Sequence, residues 1–417
     1  MTPPAVPTPL RRLADGTVKQ INPFTGTQVW TVPGRADRPL APPGETPGPI
    51  PAEHAGRHCA FCEQRYEETP PERERVVRRG AGWERLERLP AGQLWDTVAE
   101  FRLIPNLFEI VSFDYWSANH GYRPSPQAAA HQASYLADPE GRALLLRLLR
   151  RRFDVVAEED LERLTTRFFA GGHDVVVARR HFVDGATLDN QHADTGSLTP
   201  EEHEQYVALT IRAMQRLYDD NPHAVLVAAF QNWLRPAGAS FDHLHKQLVA
   251  IDELGTDLEQ QLARLEHEPD LYERWGERYA IEQGLVIART EHAVAVAGVG
   301  HRHPAIVVWS RVAGRPWELS QRVVRDFSDL VRAIHLATGP EVPTNEEWHH
   351  QPPSVRFDSP LRVVVKWRVS TPAGFEGGTR IYVNTLDPWT VASRVRRHLR
   401  ELVASGLLEG VEVDPGE

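Results

Sequence analysis

The residues best equipped for chemistry stand together in Ser240-Phe241-Asp242-His243-Leu244-His245-Lys246-Gln247. In an extended strand, side chains alternate between the two faces. His243, His245 and Gln247 then share one face, and Leu244, Lys246 and Leu248 the other. Two imidazoles and a carboxamide in a row suit phosphate chemistry. A neutral imidazole can attack phosphorus and hold a nucleotidyl group covalently. A carboxamide can donate to a phosphate oxygen without titrating. The preceding loop, from Asn232 to Ser240, adds Gly238 for close backbone approach and small polar donors beside the histidines. A second pair, Cys59-Ala60-Phe61-Cys62, has the spacing of metal ligands; two buried thiols are the other reading.

The elements that must position these groups follow from local pattern. Thr199-Pro200-Glu201-Glu202 starts a helix, with Thr as N-cap, Pro in the first turn and Glu three residues after the cap. Val207, Ile211, Met214 and Leu217 then recur at helical spacing as a core-facing stripe. Strands are expected over 28–32, 102–104, 174–178, 224–230, 243–251, 305–309 and 361–367, and helices over 131–152, 253–273 and 319–338. The similar order of elements on either side of residue 270 suggests a duplication. The expected organisation is a disordered lead over 1–20, an N-terminal half over 21–270 and a C-terminal half over 271–417. Lys246, on the far face of its strand, is expected to be solvated or to pair with a helix.

Composition narrows the classes. The 417 residues carry 47 basic and 57 acidic side chains, a formal charge of −10. An acidic chain with interspersed signs is not a general nucleic-acid binder. No apolar run reaches the ~18 residues of a membrane span. The N-terminus has no signal-peptide pattern, so the expected location is cytoplasmic. Two cysteines do not make a disulfide scaffold. Of the 47 basic residues only Lys19, Lys246 and Lys366 are lysines; GC-rich coding accounts for that scarcity.

Five segments in order resemble the galactose-1-phosphate uridylyltransferase family of the histidine-triad superfamily. Asn232, Gly238, Ser240, His243, His245 and Gln247 match its Asn…Gly-x-Ser-x-x-His-x-His-x-Gln segment. Arg35-Ala36-Asp37-Arg38-Pro39 resembles its opening, and Cys59-x-x-Cys62 with Thr69-Pro70-Pro71-Glu72 its metal-binding entry. The segment from Arg102 to Phe108 resembles its Pro-Asn-x-aromatic nucleotide loop, and Phe375-Glu376 to Asn384 its second-half segment.

The resemblance implies an α+β fold of two histidine-triad-like halves, each an antiparallel sheet with helices. It implies transfer of UMP between a UDP-sugar and a sugar-1-phosphate. His245 matches the nucleophile, Gln247 the residue that holds the transferred phosphoryl group, and Ser240 and Asn232 phosphate-side contacts. Arg35 and Arg38 match phosphate-binding arginines, Asn106 a ribose contact, and Phe375 and Glu376 sugar-side residues; Gly238 belongs to the substrate loop. One structural zinc is implied on Cys59, Cys62, His181 and His243, with His173 as the alternative to His181. Some members carry a second-half His-x-His for a second metal; here Lys366-Trp367-Arg368 stands there, so a second metal is not expected and an anionic acceptor becomes a candidate for that place. Hydrolytic relatives have a third histidine at the position of Gln247, so transfer or phosphorolysis is implied over hydrolysis. Phosphorolysis of a nucleotide sugar or dinucleoside polyphosphate is the alternative activity, and a zinc-stabilised nucleotide-binding protein without turnover is a third reading. The family pattern also admits a homodimer.

Overall fold

The computed structural model describes residues 8–34, 46–51, 53, 56–151, 153–369 and 373–416. Its frame is a twelve-stranded sheet in which every neighbouring pair is antiparallel. The middle of that sheet runs Ala293–Ala297, Ala305–Ala313, Pro360–Trp367, Thr344–His349, Leu226–Trp233, His245–Ile251, His173–Ala178 and Ala99–Pro105. The fold is thus α+β with antiparallel sheets and helices. The sheet order on one side of the central Thr344–His349/Leu226–Trp233 pair mirrors the order on the other. Each side contributes two strands, then a long helix, then two more strands.

Strand alternation sets the two faces. Leu226–Trp233 alternates half-buried and buried at every residue, and Thr344–His349 does the same. The buried face packs on the helices Pro200–Asp220 and Gln321–Thr338, which also pack on each other. The expected stripe Val207, Ile211, Met214 and Leu217 lies in this core, and the Thr199–Glu202 capping box forms in both directions. The opposite face carries a lateral row fixed by register: Gln247 beside Phe230, Phe230 beside Glu347, Glu347 beside Val364. The candidate chemistry sits on this face.

Three expectations change. Residues 9–21 are not a disordered lead: Leu10–Arg12 and Val18–Ile21 join Gln28–Thr31 and Ile381–Asn384 in a four-stranded sheet. Leu10 and Val18 are buried there, which gives this stretch enough apolar contact to order; residues 1–7 of the expected lead lie outside the described residues. The helix expected over 131–152 is two, Pro126–Ala137 and Pro139–Leu149. Pro139 lacks an N–H and forces Asp138 out of the helical region, so Asp138 becomes the N-cap of the second helix, accepting from Gly141 N. The polar helix expected over 253–273 is likewise divided, into Thr256–Leu265 and Leu271–Trp275. Among the described residues, no helix is long and apolar enough to cross a membrane.

Candidate active site

Cys59 and Cys62 flank a tight turn in which Cys62 N donates to Cys59 O. His181 follows the strand His173–Ala178, and His243 precedes the strand His245–Ile251. These four residues form a cluster that could hold a metal ion. The two sulfurs are 3.9 Å apart, the two Nδ1 atoms 3.2 Å, and the four sulfur–nitrogen edges run from 3.4 to 3.9 Å. A tetrahedron with ordinary zinc bond lengths has edges of roughly 3.8 Å between sulfurs, 3.3 Å between nitrogens and 3.6 Å between unlike atoms. The donor set therefore fits that ion. His243 Nε2 donates to Ala178 O at 2.6 Å, which leaves Nδ1 free of a proton and turned to the cluster. The Cys62 thiol is held well below the ordinary range by the hydrogen bond from Cys59, then by His181 and His243, against its burial. His173 lies outside the cluster.

The nucleophile candidate is prepared by its own strand. His245 is 5% exposed, and its Nδ1 donates to His243 O at 2.7 Å. Among the described residues nothing hydrogen-bonds its Nε2, which keeps the lone pair. Burial lowers its pKa to about 4, so the ring is neutral. Phe61, between the two cysteines, packs its ring 5.2 Å from that of His245 and rests on Ile104, Val175 and Val177. The metal loop thus forms one wall of the histidine's seat.

His173 orients Gln247. Ile110 N donates to His173 Nδ1 at 3.2 Å, so the proton of this neutral ring is on Nε2. Nε2 then donates to Gln247 Oε1 at 3.1 Å, with Asn106 Nδ2 3.0 Å from the same nitrogen. Burial holds His173 down to about 4, so it stays in that state at neutral pH. Asn106 Nδ2 also approaches Gln247 Oε1, at 3.4 Å, while Asn106 Oδ1 accepts from Phe108 N. With its oxygen taken, Gln247 presents its NH2 to the site.

The loop from Asn232 is pinned from the other side of the central strand pair. Asn345 Nδ2 donates to Asn232 Oδ1 at 2.7 Å and to Ala237 O at 2.8 Å, and Arg368 Nη1 donates to Asn345 Oδ1 at 2.6 Å. The Asn232 amide therefore turns its NH2 outward. Gly238 has φ +91°, a conformation that strains any L side chain. Leu234, at φ +64°, carries such strain, and Trp233 Nε1 bonded to Pro340 O anchors the chain beside it. Ser240 is exposed at the end of this loop.

Residues 13–414 match the family model described as "Domain of unknown function (DUF4921)". The chain belongs to that family. No curated protein matches the DUF4921 sequence. Its fold is similar to that of the ADP-glucose phosphorylase from Arabidopsis thaliana solved with bound ADP-glucose, at TM-score 0.59 and 19% identity, over 91% of this chain and 98% of that one. It is similar too to the galt-like protein from Arabidopsis thaliana, at TM-score 0.58 and 18% identity, over 91% and 98% of the two chains. The resemblance carried by the sequence motifs is thus present in the fold.

The remaining expectations for the DUF4921 chain divide. His243, His245, Gln247, Asn232 and Asn106 converge on one region of the open face. Phe375 and Glu376 lie on the short helix Gly374–Thr379, with the Phe375 ring 6.4 Å from that of Trp30, beside the four-stranded sheet. Arg35 and Arg38 lie outside the described residues. Lys246 is not solvated: it is fully buried, with Nζ 2.5 Å from Glu346 and 3.0 Å from Gln231 Oε1. Lys366 and Arg368 already have partners, Lys366 both oxygens of Glu347 and Arg368 the Asn345 amide. Sequence reading did not find the positioning roles of His173, Asn345 and Phe61. The only signal for Phe61 was its place between the cysteines; Asn345 and His173 become visible only through strand register.

Proposed function

We propose that this DUF4921 chain is a nucleotidyltransferase of the galactose-1-phosphate uridylyltransferase type, working through a covalent nucleotidyl-His245. The observation that carries the reading is a neutral imidazole with its Nδ1 proton committed to His243 O and its Nε2 open, beside a carboxamide whose oxygen is committed to His173. Nε2 attacks the α-phosphorus of a nucleotide sugar, and the bond from phosphorus to the bridging oxygen breaks. That oxygen leaves with its electron pair on sugar-1-phosphate. The positive charge formed on the ring is stabilised by its Nδ1–H bond to the carbonyl. Gln247 NH2, Asn232 NH2 and Ser240 donate to the phosphoryl oxygens, and Arg35 and Arg38 neutralise the departing phosphate. A phosphate oxygen of the acceptor then attacks the same phosphorus and releases His245. Gln247 has no proton to give a leaving group and cannot activate water, so the intermediate waits for an anionic acceptor.

Cys59, Cys62, His181 and His243 would hold one zinc, whose four protein ligands make it a structural clamp. The clamp ties the Phe61 wall and the start of the triad strand together. The mirrored succession of elements is consistent with a diverged duplication, in which the second half keeps the sheet and supplies Asn345.

Two acceptors are tested together. Sugar-1-phosphate as acceptor gives nucleotide-sugar exchange. Inorganic phosphate as acceptor gives a phosphorylase, a reading favoured by the fold shared with the ADP-glucose phosphorylase. UDP-glucose and ADP-glucose labelled at the α-phosphate are incubated with the protein, which is then isolated under denaturing, mildly alkaline conditions. Label on the wild type and none on His245→Ala supports the covalent step. Equal label on both, or none on the wild type with either donor, removes it. Adding hexose-1-phosphate or phosphate to the labelled protein identifies the acceptor.

A further inference from the structure

Arg362 differs from the other buried arginines of the described chain. Arg73 pairs with Asp174, Arg75 and Arg102 with Glu72, and Arg396 lies within 4.0 Å of Asp414. Arg362 is 7% exposed and has no ion pair among the described residues. Its Nη2 donates to Gln261 Oε1, and its guanidinium lies among three aromatic faces, Phe24, Trp309 and Tyr272, at 5.0, 5.1 and 5.3 Å. These contacts offset part of the desolvation of a buried cation. They leave its buried Nη1 without a hydrogen-bond partner.

That cation lines a cleft between the sheet and the turn and helices that cover the second half. Lys366, His301, His349 and Glu347 line it too, with Arg302 and the exposed Asp257. Lys366 and Glu347 neutralise each other at 2.6 Å. The surplus is positive. His301 is pushed down to about 3 by burial, then by Lys366 and Arg362; His349 is pushed down by burial, then by Arg362 and Lys366. Arg362, Arg302, Glu347 and His349 also line an adjoining cavity that reaches Asn232 and Asn345, so the cleft borders the triad site without coinciding with it. The row Gln247, Phe230, Glu347, Val364 spans three strand spacings, about 14 Å.

We propose that this second-half cleft binds a small organic anion, whose phosphate or carboxylate group accepts from Arg362 Nη1. The guanidinium supplies planar donors suited to either oxyanion, and the aromatic faces around it exclude water from the contact. Lys366 and Arg302 add charge toward the mouth. The proposal does not require the nucleotidyl reading to hold.

The test is thermal denaturation of the full chain titrated with inorganic phosphate and, separately, with malonate. A ligand that binds only the folded state raises Tm saturably. The expected result is a saturable rise with at least one anion, present in wild type and in His245→Ala and lost in Arg362→Met. Phosphate alone active assigns a phosphate ligand, and malonate alone a carboxylate. Arg302→Ala, an exposed change that leaves the fold intact, is expected to raise the half-saturating concentration about threefold. Lys366→Met, which leaves Glu347 facing the anion, is expected to abolish the rise. These two variants carry the test if Arg362→Met does not fold. No saturable rise with either anion, or one that is the same in Arg362→Met, Lys366→Met and wild type, overturns the proposal.

Discussion

Replacing Lys246 by Met tests the reading of the buried pair beneath the triad strand. The Lys246 and Glu346 side chains are both 0% exposed and 2.5 Å apart. Glu346 also accepts from His335 Nε2 and Trp348 Nε1, each at 2.6 Å. Removing the lysine leaves a buried carboxylate with two donors and no full countercharge beside it. Breaking such a pair costs about 3–5 kcal/mol, and the two surviving donors place this case near the lower end. At about 2.1 cal/mol/K per residue, 417 residues carry an unfolding entropy near 0.9 kcal/mol/K, so Tm should fall by about 3–5 °C. The sign with pH is also fixed. Burial pushes the Glu346 carboxyl up, but Lys246 and His335 outweigh it and hold the group well below its ordinary range. In wild type that contribution is present above the unfolded value near ~4.3 and is lost only as pH falls through the lower folded value. In Lys246→Met burial wins and the carboxyl is raised, so the variant binds a proton more readily folded than unfolded. Its deficit is then largest at pH 8 and shrinks toward pH 5. The double change Lys246→Met/Glu346→Gln should recover most of the loss. Calorimetry at pH 5, 6.5 and 8 measures all three. A Tm change under 1 °C, or a deficit independent of pH, would refute the account.

Metal analysis of the purified chain should give one zinc, lost in Cys59→Ser and His181→Ala and kept in His173→Ala. At a hundredfold excess of metal over its Kd the stabilisation is about 3 kcal/mol, so chelation should lower Tm measurably. Retention of full zinc by His181→Ala would contradict the ligand set. His173→Phe removes the donor that fixes the Gln247 carboxamide. One orienting hydrogen bond of about 1.4 kcal/mol predicts a roughly tenfold lower kcat for nucleotidyl transfer with zinc content unchanged. A purely structural His173 would instead lower Tm and leave kcat per folded molecule unaltered.

What was legible in the sequence was what short-range rules govern. The Thr199 capping box and the stripe through Met214 each depend on residues a few positions apart, and each is present. The triad strand is present too, but it begins at His245 and not at the expected His243, which stands before it among the metal-cluster residues. The four metal-cluster residues come from three separate segments, and motif resemblance, not periodicity, brought them together. The misreadings share one cause. An isolated lysine on an expected strand has no visible partner, so the sequence offers Lys246 only solvent or a helix. Its carboxylate is a hundred positions away, on a strand that reaches it only through the central pairing of the sheet. His173 stands as the alternative ligand because the spacing from its strand to His181 is one residue shorter than the family's, whereas register sets His173 against Val249, within reach of Gln247.

The same pairing gives the second half a part in the first half's chemistry. The strands Leu226–Trp233 and Thr344–His349 meet antiparallel, so Asn345 falls opposite Asn232 and Glu346 opposite Gln231. On the open face, Arg368 and Asn345 aim the amide of the triad loop. On the buried face, Glu346 and Gln231 hold the lysine that separates His245 from Gln247. A half that carries Lys366-Trp367-Arg368 in place of a triad therefore remains bound to the site through both faces of one strand pair. Substitutions at Asn345 should then act on transfer without touching zinc, and substitutions at Glu346 should act on stability. That division follows from which face of the strand each side chain occupies.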